Sequence, residues 1–501
     1  MEAPPSGRPR LAALAALAVA CATLTFVHAQ DATAPWGVGF RAINAGGYYG
    51  AFVQNYVRYG GAAVGYANVF VHVPATPPIA QPYFNHPQLY GWIQWAAAET
   101  FGSTEATIRR VAYVFALWGL LGVFLVARRL GGDVAAGAVA LVYAAGPAGG
   151  FWGLMPSHES ACTAAAAWAY LAYLRWADRP GAARAAVFAG AFGLGCALDW
   201  SAYGVAVVVV LHAWTTRSFG AAVRTGLVAT AAALVAAGGH LAHASAFLGD
   251  FRSALGAMGF LGGVSVAGAQ GTPVFLPGAL REAVVCHGPG WLVAAVCGGV
   301  ATARRGGAHR GAALFGAFAL LPGAMYLLAF RGHAKLHEFW TMTAAPGVAL
   351  LVGCGAAAAA EGLRLGRPAV VRGLAAAALV ACGALGVRDA VENADRAALE
   401  RSDFFRELGT AVRERLPADA VVMTNADWYR VGYYLERPML MAELDAASIG
   451  LARAMALARG LDPARLFFVA DLAKTPPEGL AALAPFGDPV RVGGVAMFRC
   501  R

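Results

Sequence analysis

The sequence is short of charge. Only 13% of its 501 residues are Asp, Glu, Lys or Arg, about half the share found in globular proteins. With 59% hydrophobic residues and a mean hydropathy of +0.56, there is too little polar material to cover a water-soluble surface. Lysine occurs at Lys335 and Lys474 alone, while alanine, glycine and arginine abound, the usage of a GC-rich bacterial genome. The eight cysteines are scattered, mostly within apolar runs. Without CxxC or Cys/His spacing, a zinc finger or a disulfide framework is excluded. No P-loop or dinucleotide fingerprint is present, so nucleotide sites of those kinds are excluded as well. The net charge is +10, but the basic residues sit in short clusters between apolar runs. A solvated basic face is missing, and nucleic acid is not an expected partner.

What is there is a series of apolar runs. A bilayer core of roughly 30 Å needs about 20 helical residues to cross it. The first run, Leu11 to about Ala29, follows Arg8 and Arg10, and its end at Val27-His28-Ala29 also resembles a signal-peptidase site. Further spans are expected at 107–127, 133–149, 159–175, 183–198, 199–215, 222–247, 287–303, 311–330, 339–360 and 369–387. The expected fold is a polytopic all-α membrane protein of about eleven transmembrane helices. Residues 1–29 form the first helix, 30–106 a loop with interfacial helices, 107–387 the bundle, and 388–501 a small soluble α/β domain. With the N-terminus in the cytoplasm, arginines cluster in the cytoplasmic turns, at Arg128 and Arg129, at Arg175, Arg179 and Arg184, and at Arg304, Arg305 and Arg310. That alternation follows the positive-inside rule and puts the loop 30–106, the segment 248–286 and the tail outside. In the tail, Ala420–Thr424, Leu466–Ala470 and Val492–Phe498 read as strands and Ala446–Arg459 as an amphipathic helix.

The loop carries the chemistry-bearing motifs. It reads Phe40-Arg41 and Asn44 after the first span, then Asn55-Tyr56-Val57-Arg58-Tyr59-Gly60, then His86-Pro87-Gln88-Leu89, then Phe101-Gly102-Ser103-Thr104-Glu105 before the arginine-led second span. Later come Pro156-Ser157-His158-Glu159 opening one span and His337-Glu338-Phe339-Trp340 opening another. Helical amphipathic character over 45–59 and 88–100, with many aromatics, suits the membrane interface. In order and spacing these motifs resemble the GT-C membrane glycosyltransferases, in the branch of the protein O-mannosyltransferases and the lipid A aminoarabinose transferases. The resemblance covers roughly residues 10–390.

The resemblance implies transfer of a sugar from a polyprenyl-phosphate donor, at a membrane lipid surface, to a hydroxyl of a glycan, lipid or protein acceptor. It implies a multi-pass protein of the bacterial inner membrane with its C-terminal domain outside the cytoplasm. It also points to residues. The family usually has an aspartate where this chain has Asn44, and an amide cannot act as a general base. Asp31 lies near that position, as a substitute acid or a solvated flank. The second acidic position falls on Glu159, a catalytic carboxylate or a charge at a helix start. Arg41 and Arg58 can hold phosphate bidentately, or simply sit at the interface. His86, His158, His337 and Glu338 are candidates for donor binding, against readings as turn caps and ion-pair partners. Asp199-Trp200 reads as a solvated turn, and His240 and His243 as core histidines. No cofactor is called for, with a divalent metal left open. Two alternatives keep the membrane fold: a catalytically degenerate lipid-sugar scaffold, favoured by Asn44, and a transporter or flippase. The latter predicts ionisable residues deep in several spans and repeated halves; the sequence shows few such charges and no repeated halves.

Overall fold

Alanine is the commonest residue of the apolar runs and the best helix former, and the runs are helical. The computed structural model describes residues 7–36, 49–75, 79–258, 272–305, 307–329, 339–364, 369–399, 402–425, 428–441, 445–492 and 494–499. The chain divides into two compact units. One is drawn from Met1–Asp31, Asn85–Tyr90 and Ala112–Ala398, the other from Ala32–Phe84, Gly91–Val111 and Leu399–Arg501.

The first unit is a helical bundle. Its main helices are α1 (Gly7–Asp31), α2 (Glu105–Ala145), α3 (His158–Asp178), α4 (Ala182–Leu198), α5 (Gly204–Thr216), α6 (Phe219–Leu248), α7 (Pro289–Ala303), α8 (Ala345–Arg364) and α9 (Ala369–Leu399). Among the described residues, five helices are long and apolar enough to cross a membrane, and six if one bent pair is a single span. The chain is a multi-pass membrane protein. The expected count of about eleven spans is larger, and two breaks in the helices bear on it. α2 contains two expected spans, divided at Gly132, whose φ of 77° interrupts the helix. Glycine tolerates that left-handed conformation. α4 and α5 are short, at 17 and 13 residues, and the chain breaks between them at Asp199. α3 runs through the densest part of the bundle. From His158 to Ala167 every residue is buried, and small side chains let α4 lie against it. α7 and α8 approach closely enough that a Cβ on Gly355 would lie 2.3 Å from the Cα of Gly298. Only glycine permits that seam, the close packing typical of membrane helices.

The second unit is α/β. Five strands, β3 (Val421–Thr424), β4 (Met439–Met441), β5 (Leu466–Asp471), β6 (Val490–Val492) and β7 (Val495–Arg499), form one sheet in the order β4-β3-β5-β7-β6. β3 runs parallel to β4 and β5, and β7 antiparallel to β5 and β6. The helices Trp428–Leu435 and Ala446–Ala458 lie on the two parallel connections, as parallel pairing requires a crossover. The expected last strand is a hairpin, and β4 has no counterpart in the sequence prediction. A separate pair, β1 (Val69–Val73) with β2 (Ile79–Pro82), is antiparallel.

The aromatic loop and the tail share a core. Trp36, Val53, Ala98 and Ile108 pack in one cluster with Leu408, Val422, Tyr433, Val469 and Met497. Tyr434 fastens it: its hydroxyl accepts the Trp36 N–H at 2.7 Å and donates to Glu105 Oε1 at 2.9 Å. Tyr433 donates to the Ser103 carbonyl at 2.8 Å. Arg109 donates to the carbonyls of Ala34 and Pro35 and stacks over the Trp36 ring, 4.1 Å from its centroid. Residues 30–106 and 388–501 were expected as separate segments; the second unit instead joins 32–84, 91–111 and 399–501.

Candidate active site

The start of α3 is set by its cap. Ser157 is extended, at φ −139° and ψ 158°, and its hydroxyl accepts the Ser160 N–H. Ser160 in turn donates to the carbonyls of Met155 and Ser157, both at 2.8 Å. His158 and Glu159 therefore occupy the first turn, where the exposed N–H groups and helix dipole favour negative charge.

Asp199 sits across from them, in the break between α4 and α5, and is 0% exposed. Its Oδ2 accepts both the N–H of Ser201, at 3.1 Å, and the Ser201 hydroxyl. That leaves Oδ1 for the histidines. His86 Nδ1 lies 2.7 Å from it and His158 Nε2 lies 3.6 Å from it. The segment bearing His86 is held at the same place. Trp200, the residue after Asp199, donates its indole N–H to the Asn85 carbonyl at 2.6 Å, and Gln88 donates to the His86 carbonyl at 2.9 Å. The two imidazoles stack obliquely, with centroids 3.9 Å apart. Glu159 Oε1 is 3.1 Å from His158 Nε2. Its Oε2 is buried with no hydrogen-bond partner among the described residues. Burial, and then the neighbouring His158, push the His86 imidazole below its ordinary value, against the pull of Asp199 and Glu159.

An apolar cavity of about 420 Å³ begins at the same turn. Trp200, Ser201 and Tyr203 line one side, with Leu241 of α6, Met258, Pro322 and Tyr326 around the rest. Ser201 thus belongs to both places: it lines the cavity and donates to Asp199. His240 lies edge-on to the Trp200 ring, at 5.5 Å between centroids. It is a buried histidine of the bundle, as the sequence suggested.

The structure brings together three of the residues singled out from sequence: His86, His158 and Glu159. Asp31 is buried at the C-terminal end of α1 and is not a member of the cluster. Arg58 belongs to the second unit, in the helix Ala51–Tyr59, with its guanidinium 5.8 Å from the Tyr59 ring centroid. Arg41, Asn44, His337 and Glu338 lie outside the described residues. The reading of Asp199 as a solvated turn is corrected: it is the most deeply buried member of the site. The signal that could have found it is the one charged residue between Ala185 and Leu211, a largely apolar stretch where an ionisable group is a functional candidate by default. Chemically the site offers a carboxylate oxygen free to accept a proton, a second carboxylate fixed in orientation, and two imidazoles as hydrogen-bonding groups or ligands.

Comparison with known proteins bears on the fold. The Dolichyl-phosphate-mannose-protein mannosyltransferase family matches residues 85–243, a stretch holding His86, His158, Glu159 and Asp199. No curated protein sequence is significantly similar to the chain. ArnT from Cupriavidus metallidurans bound to undecaprenyl phosphate superposes with a TM-score of 0.68 at 15% identity, covering 97% of either chain. The apo oligosaccharyltransferase of Archaeoglobus fulgidus gives a TM-score of 0.59 at 13% identity, over 98% of this chain and 74% of that one. The arabinofuranosyltransferase AftD from Mycobacteria gives 0.52 at 15% identity, over 97% of this chain and 40% of that one. All three are GT-C glycosyltransferases, and this chain has the GT-C fold.

Proposed function

We propose that the chain is a membrane glycosyltransferase that moves a sugar from a polyprenyl-phosphate carrier to a hydroxyl acceptor on the outer face of the bacterial inner membrane. The observation that carries this reading is the buried carboxylate of Glu159, with one oxygen unshared, beside an apolar cavity that meets the site at Ser201. The cavity suits a prenyl tail, since apolar lining removes hydrocarbon from competing surroundings by close packing. Glu159 Oε2 is the proton acceptor for the incoming hydroxyl. His86 and His158 face the carrier phosphate, where charge develops as the sugar leaves. ArnT, which shares the fold over nearly its whole length, was crystallised with undecaprenyl phosphate, and that supports a carrier of this class. The arginine-rich turns support a cytoplasmic N-terminus and an external C-terminal unit. Asp199 and Glu159 supply two carboxylates, which supports catalysis over a lipid-sugar scaffold even with an amide at Asn44. Asp31, Arg41, Arg58, His337 and Glu338 stay candidates for the remaining donor and acceptor contacts.

The test is a transfer assay in membrane vesicles with a radiolabelled polyprenyl-phosphate sugar pool. Wild type should transfer label, and Glu159→Gln should lower the rate at least about a hundredfold, the range for losing a positioned acid or base. Equal rates in the two would remove Glu159 from the chemistry. No transfer by wild type across the polyprenyl-phosphate sugars tested would overturn the function.

A further inference from the structure

We infer that His86, His158 and Asp199 form a binding site for a divalent cation of the zinc class. The ligand atoms these three residues offer all lie within 4.8 Å of one another. Metal–ligand bonds of about 2.0–2.2 Å in a tetrahedral site leave neighbouring ligand atoms roughly 3.4 Å apart. The observed separations of Asp199 Oδ1 from His86 Nδ1 and from His158 Nε2, 2.7 and 3.6 Å, bracket that value. Two imidazole nitrogens and one carboxylate oxygen are a donor set of borderline softness, which suits zinc, cobalt or nickel better than magnesium or calcium.

Charge points the same way. Asp199 and Glu159 are 0% and 4% exposed. Among the described residues their only ion-pair partners are His86 and His158, and no arginine or lysine reaches either. Two carboxylates taken out of water need compensation, and a divalent cation between the imidazoles supplies it. The support around the ligands is also that of a metal site. Ser201 occupies Oδ2 of Asp199 with two hydrogen bonds and so aims Oδ1 at the histidines. Trp200 and Gln88 fix the turn that carries His86. Outer contacts of this kind orient metal ligands.

Three protein ligands leave a fourth position open, the arrangement of catalytic rather than structural zinc sites. Glu159 stands beside it, its Oε1 3.1 Å from the ligating His158 Nε2. A phosphate oxygen of the carrier would take the open position. That role rests on the glycosyl-transfer reading; the cation site itself does not.

The experiment separates the two. Full-length protein in nanodiscs is stripped with chelator, reloaded with Zn²⁺ or Co²⁺, and assayed for bound metal by elemental analysis and for the Co²⁺ visible spectrum. Wild type should hold about one equivalent and show the intense ligand-field bands of a low-coordinate Co²⁺ site. His86→Ala and Asp199→Asn should lose at least tenfold in affinity, while Glu159→Gln and His240→Ala keep the metal. Retention of stoichiometric metal by both His86→Ala and Asp199→Asn would overturn the site. So would a wild type that takes up no Zn²⁺ or Co²⁺, an outcome independent of how the variants fold. Metal binding without transfer would leave the site standing and overturn the transferase reading. Undiminished transfer by stripped, metal-free protein would restrict the cation to a role outside the reaction and overturn its place on the phosphate.

Discussion

Removing one hydroxyl tests whether the aromatic loop and the C-terminal tail are a single cooperative body. Tyr434→Phe keeps the ring in its place and deletes the oxygen that accepts the Trp36 N–H at 2.7 Å and donates to Glu105 at 2.9 Å. Trp36 is fully buried, so its amide finds no water in exchange. An unsatisfied buried donor costs about 1–3 kcal/mol. The Glu105 carboxylate is 17% exposed and recovers part of its loss from solvent, leaving about 1 kcal/mol there. The sum, about 2–4 kcal/mol, corresponds to roughly a 30- to 1,000-fold change in an opening equilibrium. Hydrogen exchange by mass spectrometry on the full chain in nanodiscs reads it directly. Peptides covering Trp36, β3 and β5 should all exchange faster by a similar factor, since a cooperative unit opens together. Faster exchange at Trp36 with β3 and β5 unchanged would refute the shared core and return the loop and tail to separate bodies.

Other expectations follow from the site and from its surroundings. Ser201→Ala removes a charge-assisted hydrogen bond from a fully buried carboxylate; at about 1.5–3 kcal/mol, the melting temperature should fall and transfer should drop by up to about ten- to a hundredfold in rate, and a loss of transfer below about twofold would sever Asp199 from the chemistry. Leu241→Trp adds bulk to the 420 Å³ cavity; KM for a long-chain carrier should rise well above that for a short-chain analogue, and equal effects on both would place the tail elsewhere. His72 in β1 is buried against Tyr59, and burial depresses its imidazole below the ordinary 6.5. The unfolded chain therefore takes up that proton first as pH falls. The contribution to stability is complete above about 6.5 and is lost toward the lower folded value, by at most about 1.4 kcal/mol per pH unit. The melting temperature of wild type should drop more between pH 8 and pH 5 than that of His72→Gln, and the reverse order would show that His72 is not buried neutral.

The helices and their membrane character were legible because hydropathy is local: a run such as Phe219–Leu248 declares itself without knowledge of its neighbours. His86, His158 and Glu159 were legible too, as polar residues at the mouths of apolar runs in a recognisable order. Asp199 was not. A carboxylate between two short apolar helices reads as a turn, and only the packing of Trp200 on Asn85 and of Ser201 on its own neighbour shows that the turn is buried. The union of loop and tail was beyond reach for a different reason. The bond from Trp36 to Tyr434 spans 398 positions, and nothing in either segment names the other. β4, of three residues, and the β1–β2 pair are short enough that their pairing, more than their composition, makes them strands.

The shared core sets an order of events during biosynthesis. Residues 32–111 leave the ribosome long before residues 399–501, with most of the helical bundle made in between. At about 5–20 residues per second, the early half waits on the order of 15–60 seconds for the strands that complete it. Through that interval Trp36, Val53 and Ile108 have no sheet to pack on. Maturation of the chain thus depends on holding an unfinished aromatic segment at the membrane until its last hundred residues arrive, and a premature stop anywhere in β3 to β7 would strand it there.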